Sequence, residues 1–137
     1  MLARIACLAL LAVAVLPAGE LDGIWTGLAP GRKGTKQDVA FQFKMHGPAL
    51  TGTLFGDEFD LPIEEASATG DQVHFSVTTT NYYSGSKIKF LYTGIVKGDS
   101  IELTRERVLK PGEKPPESES LKQSFVLKRL VHLEGGR

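Results

Sequence analysis

The chain has 137 residues, with 16 basic and 16 acidic side chains and a formal net charge of zero. This length suits one domain and is too short for two ordinary ones. Because the two signs of charge are interleaved along the chain, the composition excludes a nucleic-acid-binding surface as the main feature and offers no polybasic membrane patch.

Residues 1–19 have the pattern of a signal peptide. Arg4 supplies a positive charge, the apolar run Ile5 to Leu16 follows, and Pro17-Ala18-Gly19 offers small residues for cleavage. A transmembrane helix would need roughly 20 apolar residues. We therefore expect export to the periplasm or the medium, a single domain over residues 20–137, and no stable membrane insertion after cleavage.

The lone cysteine, Cys7, lies inside this apolar run rather than after it, so lipidation is not expected. Cleavage would remove it and leave a domain without cysteine. The stability of that domain would then come from burial rather than from a disulfide.

The rest of the chain alternates apolar and polar residues between turn signals. Gly23 to Gly27 is predicted as a first strand, and residues 29–36, with two glycines and three cations, as a long loop. Val39 to Met45 carries apolar residues at every second position, which is the period of a half-buried strand. His46-Gly47-Pro48 predicts a tight turn into a third strand, Leu50 to Leu54, and so a hairpin.

The next two strands are joined by a glycine turn. Leu61 and Ile63 begin a fourth strand, but Pro62 lacks a ladder donor and predicts an irregular stretch there. Gly70-Asp71 then turns the chain. The fifth strand is predicted to face inward with Val73, Phe75 and Val77 and outward with His74, Ser76 and Thr78.

Three further strands complete the pattern. They are separated by a loop at residues 81–86, a tight turn at Gly98-Asp99 and a loop rich in proline and glutamate at residues 110–120. Their predicted inward residues are Ile88, Phe90, Tyr92, Ile101, Leu103, Phe125 and Leu127. No segment has the long crossover that parallel strands need. The sequence therefore predicts an all-β fold, an eight-stranded antiparallel up-and-down (meander) barrel that closes to remove its edges.

A meander places its connections alternately at two ends. The longer connections, at residues 31–36, 56–60, 81–86 and 110–120, then meet at one end, which we call the rim. Long loops on a rigid scaffold often carry binding residues, so function is expected at the rim. The first and last strands meet at the opposite end, where Trp25 and Arg129 should lie close, with the guanidinium on the indole and donating to free carbonyls.

Gly23, Trp25 and Arg129 resemble the pattern of the calycin group, the lipocalins, avidins and fatty-acid-binding barrels. In that group a Gly-x-Trp on the first strand meets an arginine from the last strand. The resemblance implies a calycin-like (lipocalin-like) barrel closed by these three residues.

A second resemblance, over about residues 22–130, is to a family of small secreted domains of soil bacteria such as acidobacteria. The matching segments are Gly23-Ile24-Trp25-Thr26-Gly27, Leu50-Thr51-Gly52-Thr53, Leu61-Pro62-Ile63, and Tyr92-Thr93-Gly94 with Gly98-Asp99. This resemblance implies a barrel and export, and no particular activity.

Arg105 and Arg107 continue the inward phase of the seventh strand towards the rim. The other residues predicted to reach this place are Thr79, Asn81, Tyr82 and Tyr83. Arginines beside tyrosines suit a carboxylate, a sulfate or a phosphate. The alternative is that the strand frays after Leu103 and the arginines pair in solvent with Glu106, Glu117 or Glu119, since a one-residue slip reverses the faces.

Aromatic side chains are expected in two places. Phe55, Phe59, Tyr82 and Tyr83 would form an exposed cluster for a sugar or a protein partner, or else Phe59 and one tyrosine would cap the barrel mouth. Seven inward rings favour a filled interior over a large lipid cavity.

Nothing in the sequence predicts a metal, a cofactor or catalysis. The acidic set Asp57, Glu58, Asp60, Glu64 and Glu65 lacks the spacing of a calcium loop or the cleft of a glycosidase, and is expected to be solvated. His46, His74 and His132 are scattered, and no Gly-x-Ser-x-Gly occurs.

The resulting expectation is a secreted, non-catalytic binding module for a small polar or anionic molecule or a saccharide. The alternatives are a protein-interaction barrel, such as an inhibitor of an extracellular hydrolase, and a structural envelope protein.

Overall fold

The computed structural model describes residues 21–31, 34–56, 59–81, 83–115 and 120–130. The predicted signal peptide, with Cys7, lies outside these ranges. The strands are β1 (Gly23–Pro30), β2 (Lys36–His46), β3 (Ala49–Leu54), β4 (Leu61–Pro62), β5 (Glu64–Thr69), β6 (Gln72–Thr80), β7 (Lys87–Lys97), β8 (Ser100–Val108) and β9 (Lys122–Arg129).

Each strand pairs antiparallel with the next, except that β4 and β5 both pair with β3. Strand β1 pairs with both β2 and β9, which closes the sheet. The short strands β4 and β5 together occupy the fourth position, so the closed barrel has eight strands. The predicted fold class, an eight-stranded up-and-down barrel, is confirmed.

The first strand is longer than predicted. We expected it to end at Gly27 and a loop to run over residues 29–36, but β1 stays paired with β2 as far as Pro30. Ala29 continues the inward phase of the strand and is fully buried. The proline is tolerated because it is the last paired residue of β1 and no later ladder bond of that strand depends on it. The connection therefore shrinks to residues 31–35.

The interior is built by the predicted inward residues. Phe41 stacks on Phe43 with ring centroids 5.5 Å apart, and Phe75 stacks on Tyr92 at 4.8 Å. Edge contacts at 5.5 to 5.6 Å join the two pairs. These four rings, which we call the aromatic layer, pack across the barrel from β2, β6 and β7 and bury the apolar area that stabilises it.

The end opposite the rim is closed by the residues that the sequence predicted. Trp25 is fully buried, and the guanidinium carbon of Arg129 lies 4.3 Å from its ring centroid. Arg129 Nη1 donates to the Asp22 carbonyl at 2.8 Å, just before β1. Gly23 has φ +140°, and a Cβ there would lie 3.3 Å from the same Nη1. A side chain at Gly23 would crowd the arginine that completes the closure.

The irregular stretch that Pro62 predicted is present as the break between β4 and β5, with a register shift between Glu64 and Ser67. Glu65 adopts φ +52° in this bulge. Ser76, predicted to face outward, does so but is fully buried, which corrects the expectation that it meets solvent. Its hydroxyl donates to the Glu65 carboxylate at 2.9 Å, because the bulge brings Glu65 over this position of β6.

Candidate functional site

The two arginines lie on a regular part of β8. Arg105 pairs in register with Tyr92 on one side and with Gln123 on the other, and Arg107 pairs with Phe90. The ladder between β7 and β8 continues to Val108, so the alternative in which the strand frays after Leu103 is wrong. Both arginines keep the inward phase and lie on the inner wall near the rim.

The Arg105 guanidinium is held between two rings, with its central carbon 5.7 Å from the Phe90 centroid and 5.5 Å from the Phe125 centroid. Its Nη2 donates to the Pro30 carbonyl at 3.0 Å and also to Gln123 Oε1. The neighbouring Nε is buried and has no hydrogen-bond partner among the residues that the structure describes. Arg105 is thus fixed by its surroundings while one strong donor remains unused.

Arg107 is paired with a carboxylate that the sequence did not point to. Its Nη2 donates to Glu113 Oε2 at 2.7 Å, and the two side chains are only 22% and 29% exposed. Its Nε, like that of Arg105, is buried without a partner in the described part of the chain. Of the alternative partners, Glu106 points outward on β8, and Glu117 and Glu119 lie outside the described residues.

Two titratable groups respond to these arginines. Burial raises the pKa of the Tyr92 hydroxyl, and the positive charge of Arg105 opposes that rise. The pKa of Glu113 is lowered, first by the backbone N–H of Lys110 and then by Arg107. At neutral pH the site therefore presents a neutral phenol on the strand beside Arg105 and an ionised carboxylate on Arg107.

The other residues predicted at the site are placed differently. Thr79 follows the inward phase of β6 and pairs with Ile88. Asn81 uses its side-chain oxygen to accept the backbone N–H groups of Tyr83 and Ser84, both at 2.9 Å. Tyr83 is 93% exposed. Tyr82 lies outside the described residues. The structure thus brings Arg105 and Arg107 together and leaves Asn81 and Tyr83 on the solvent side of the rim.

The residues of the predicted aromatic cluster differ in exposure. Phe59 is 67% exposed, whereas Phe55 is half-buried and walls a groove of about 460 Å³ on the outer face of β1 and β2. Of the acidic set, Asp57 and Glu58 lie outside the described residues. Asp60 accepts the Gly56 N–H at 3.3 Å, so it holds the loop between β3 and β4.

Sequence reasoning missed two polar residues of the site. Gln123 has the same inward phase as Phe125 and Leu127, so extending the alternation of β9 by one step would have found it. Glu113 lies in the connection between β8 and β9, where no periodicity indicates a direction. Only the turn in which Glu113 N donates to Lys110 O at 2.9 Å brings its carboxylate back to Arg107.

Within the described ranges, no three histidine, cysteine, aspartate or glutamate side chains are grouped so that they could hold a metal ion. Among those residues no helix has the length and apolar character needed to span a bilayer. His46 and His74 are exposed, and His132 is outside the described part of the chain.

No family model, curated protein or solved structure matches this chain. The class of protein is therefore defined by the fold and the site alone. It is a closed eight-stranded antiparallel barrel, compatible with a calycin-like fold, with an indole and an arginine at one end and two inward arginines at the other.

Proposed function

We propose that this protein is a secreted, non-catalytic binding module that takes a small anionic molecule on Arg105 and Arg107 at the rim. The observation that carries the proposal is the pair of buried Nε–H donors, of Arg105 and Arg107, that have no partner among the described residues. A buried donor without a partner costs roughly 1 to 3 kcal/mol, and more when it is charged. A bound oxyanion that accepts from these donors would remove that cost.

The surroundings of the arginines support an anion rather than a neutral ligand. A guanidinium binds carboxylate, sulfate or phosphate through paired N–H groups. In both side chains Nη2 already donates a hydrogen bond, whereas the Nε beside it on the same edge donates none within the described part of the chain. An anion with two acceptor oxygens can use such an edge.

The proposal also includes a relationship to the calycins and export from the cytoplasm. The chain is a relative of the calycins, which the contacts of Gly23, Trp25 and Arg129 support. It is exported to the periplasm or the medium, which the pattern of residues 1–19 supports. Cell fractionation together with the intact mass of the purified protein tests export, because cleavage after residue 19 would remove Arg4 and Cys7.

The binding test uses protein purified from cells that express the full chain. Calorimetric titrations with acetate, sulfate and glucose are compared for the wild type and for the double variant R105M/R107M. We expect the wild type to bind at least one of the two anions and the double variant to bind neither. The control is K122M/K128M, which removes two cations from the outer face of β9 and should bind like the wild type. Equal anion binding by R105M/R107M and the wild type would refute the proposed site. Binding of glucose but of neither anion by the wild type would show that the ligand is a saccharide rather than an anion.

The second candidate is a protein-interaction barrel, and one observation favours it. Leu28 is 55% exposed beside the groove that Phe55 walls, and Val126 on the adjoining β9 is 44% exposed. Exposed apolar side chains next to a groove are typical of protein contacts. Native mass spectrometry of the protein, purified from the cell envelope in which it is naturally made, distinguishes these proposed functions. A retained small mass supports the anion, a co-purifying protein supports the interaction barrel, and a bare monomer favours a structural envelope protein.

A further inference from the structure

The Arg107–Glu113 pair is the best shielded of the ion pairs between described residues. In each of the others at least one side chain is more than 40% exposed, whereas here both are below 30%. Glu113 Oε2 accepts from Arg107, and its other oxygen accepts the Lys110 N–H at 2.9 Å. The arginine proposed to bind an external anion is therefore already in contact with an anion of the chain itself.

The contact uses only half of the available arginine edge. Glu113 accepts from Nη2 of Arg107, and the adjacent Nε–H remains buried without a partner in the described residues. A carboxylate placed squarely on that edge would accept from both nitrogens. Glu113 cannot supply a second oxygen there, because that oxygen is bonded to Lys110. The geometry of the turn thus makes Glu113 a weaker partner than a free carboxylate would be.

Removing Glu113 from Arg107 would not disturb the barrel. The turn from Lys110 to Glu113 lies between the end of β8 and the start of β9, and Pro111 and Gly112 within it are exposed. Strand β8 stays paired with β9 as far as Glu106 without any contribution from this turn. Exchange of one carboxylate for another would therefore cost little besides the contacts of Glu113 itself.

The packing of the barrel interior next to the arginines limits the size of the group attached to any carboxylate that would bind Arg107 in place of Glu113. Tyr92, in register with Arg105, belongs to the aromatic layer, whose rings contact each other across the barrel. An acyl chain pointing inward would have to displace these rings. A short carboxylate whose remainder points out of the rim would leave these rings in place.

We propose that Glu113 is a resident competitor for Arg107 and that the ligand is a short, hydrophilic carboxylate which replaces it on the Nε and Nη2 edge. The proposal rests on the function proposed above. It adds the ligand class and a built-in threshold, since the ligand must bind Arg107 better than Glu113 does.

The test compares the binding of acetate by the wild type, E113Q and E102Q, each purified from cells that express the full chain. Glu102 is an exposed carboxylate on the outer face of the same strand, paired with Lys97, so E102Q makes the same change in net charge away from the site. Loss of the competitor should tighten acetate binding by E113Q about tenfold or more, the equivalent of one hydrogen bond to a charged group. E102Q should bind like the wild type.

A second measurement follows the Arg107 Nε–H resonance in ¹⁵N-labelled wild type, assigned by its loss in R107M. Acetate should shift this signal even if E113Q folds poorly. Equal affinities of the wild type and E113Q, with a shifted signal, would overturn the competition and leave the anion site standing. Absence of binding and of any shift in every protein would overturn both proposals. Weaker binding by a folded E113Q would show that Glu113 assists the ligand rather than competing with it, and would also overturn the proposal.

Discussion

Replacing Arg129 by methionine should destabilise the barrel at its closed end. Methionine keeps an apolar stem against Trp25 but removes the cation and its donors. The hydrogen bond from Nη1 to the Asp22 carbonyl, at 2.8 Å, is of the charged type and contributes about 1.5 to 3 kcal/mol. The contact of the guanidinium with the indole at 4.3 Å adds about 0.5 to 2 kcal/mol.

The ion pair of Arg129 with Asp99 adds little, because the Asp99 side chain is 73% exposed and screened by solvent. Since these contacts share one side chain and do not add fully, R129M should lower the free energy of unfolding by about 2 to 4 kcal/mol. With a urea dependence of about 2 kcal/mol per molar, the midpoint falls by about 1 to 2 M. Trp25 is the sole tryptophan and is fully buried, so its fluorescence reports the transition.

Two variants serve as controls. K128M removes a neighbouring cation on the outer face of β9, whose contact is with Ser100 at 3.0 Å, and D99N removes the exposed ion pair alone. Each should change stability by less than about 1 kcal/mol. If R129M lost no more stability than K128M, the closure of the barrel by this arginine would be the wrong explanation of the contacts.

Two further predictions concern the aromatic layer. F41A should lose about 3 to 5 kcal/mol by leaving a cavity between stacked rings, while F59A, at a side chain 67% exposed, should stay within about 0.5 kcal/mol of the wild type in the same urea assay. Because burial raises the pKa of Tyr92 above 10.0, the folded state keeps a proton that the unfolded state releases, so this contribution is complete below pH 10.0 and declines as the pH rises through the folded pKa. Urea midpoints measured across that range should fall more steeply for the wild type than for Y92F, and identical slopes would contradict the assignment.

Much of the fold could be predicted because its signals are local. Alternation in Val39 to Met45 gives the face of a strand without knowledge of its neighbours, and Gly47, Gly70 and Gly98 mark turns through positive φ values. Local signals give the wrong boundary where a residue that is typical of loops lies at the end of a paired strand. Pro30 looked like the middle of a loop, but pairing with β2 extends the strand to it.

The candidate site was predicted only in part for the same reason. The inward direction of Arg105 and Arg107 follows from the phase of β8, which is a local property. Their partners do not follow from that phase: the Pro30 carbonyl is 75 residues from Arg105, and Glu113, although it is only 6 residues from Arg107, reaches it through a turn without periodicity. No local pattern encodes such contacts.

By itself, the sequence determined the eight positions of the barrel and their order, the buried faces of the strands, and the contact of Trp25 with Arg129 at the closed end. These follow from side-chain alternation and from the rule that consecutive antiparallel strands alternate between two ends. Only the tertiary structure decided that Ser76 is covered by the bulge at Glu65 and that Arg107 already holds Glu113. Those outcomes depend on how the bulge at Glu65 and the turn before Glu113 direct individual side chains, and a period of two residues carries no information about that.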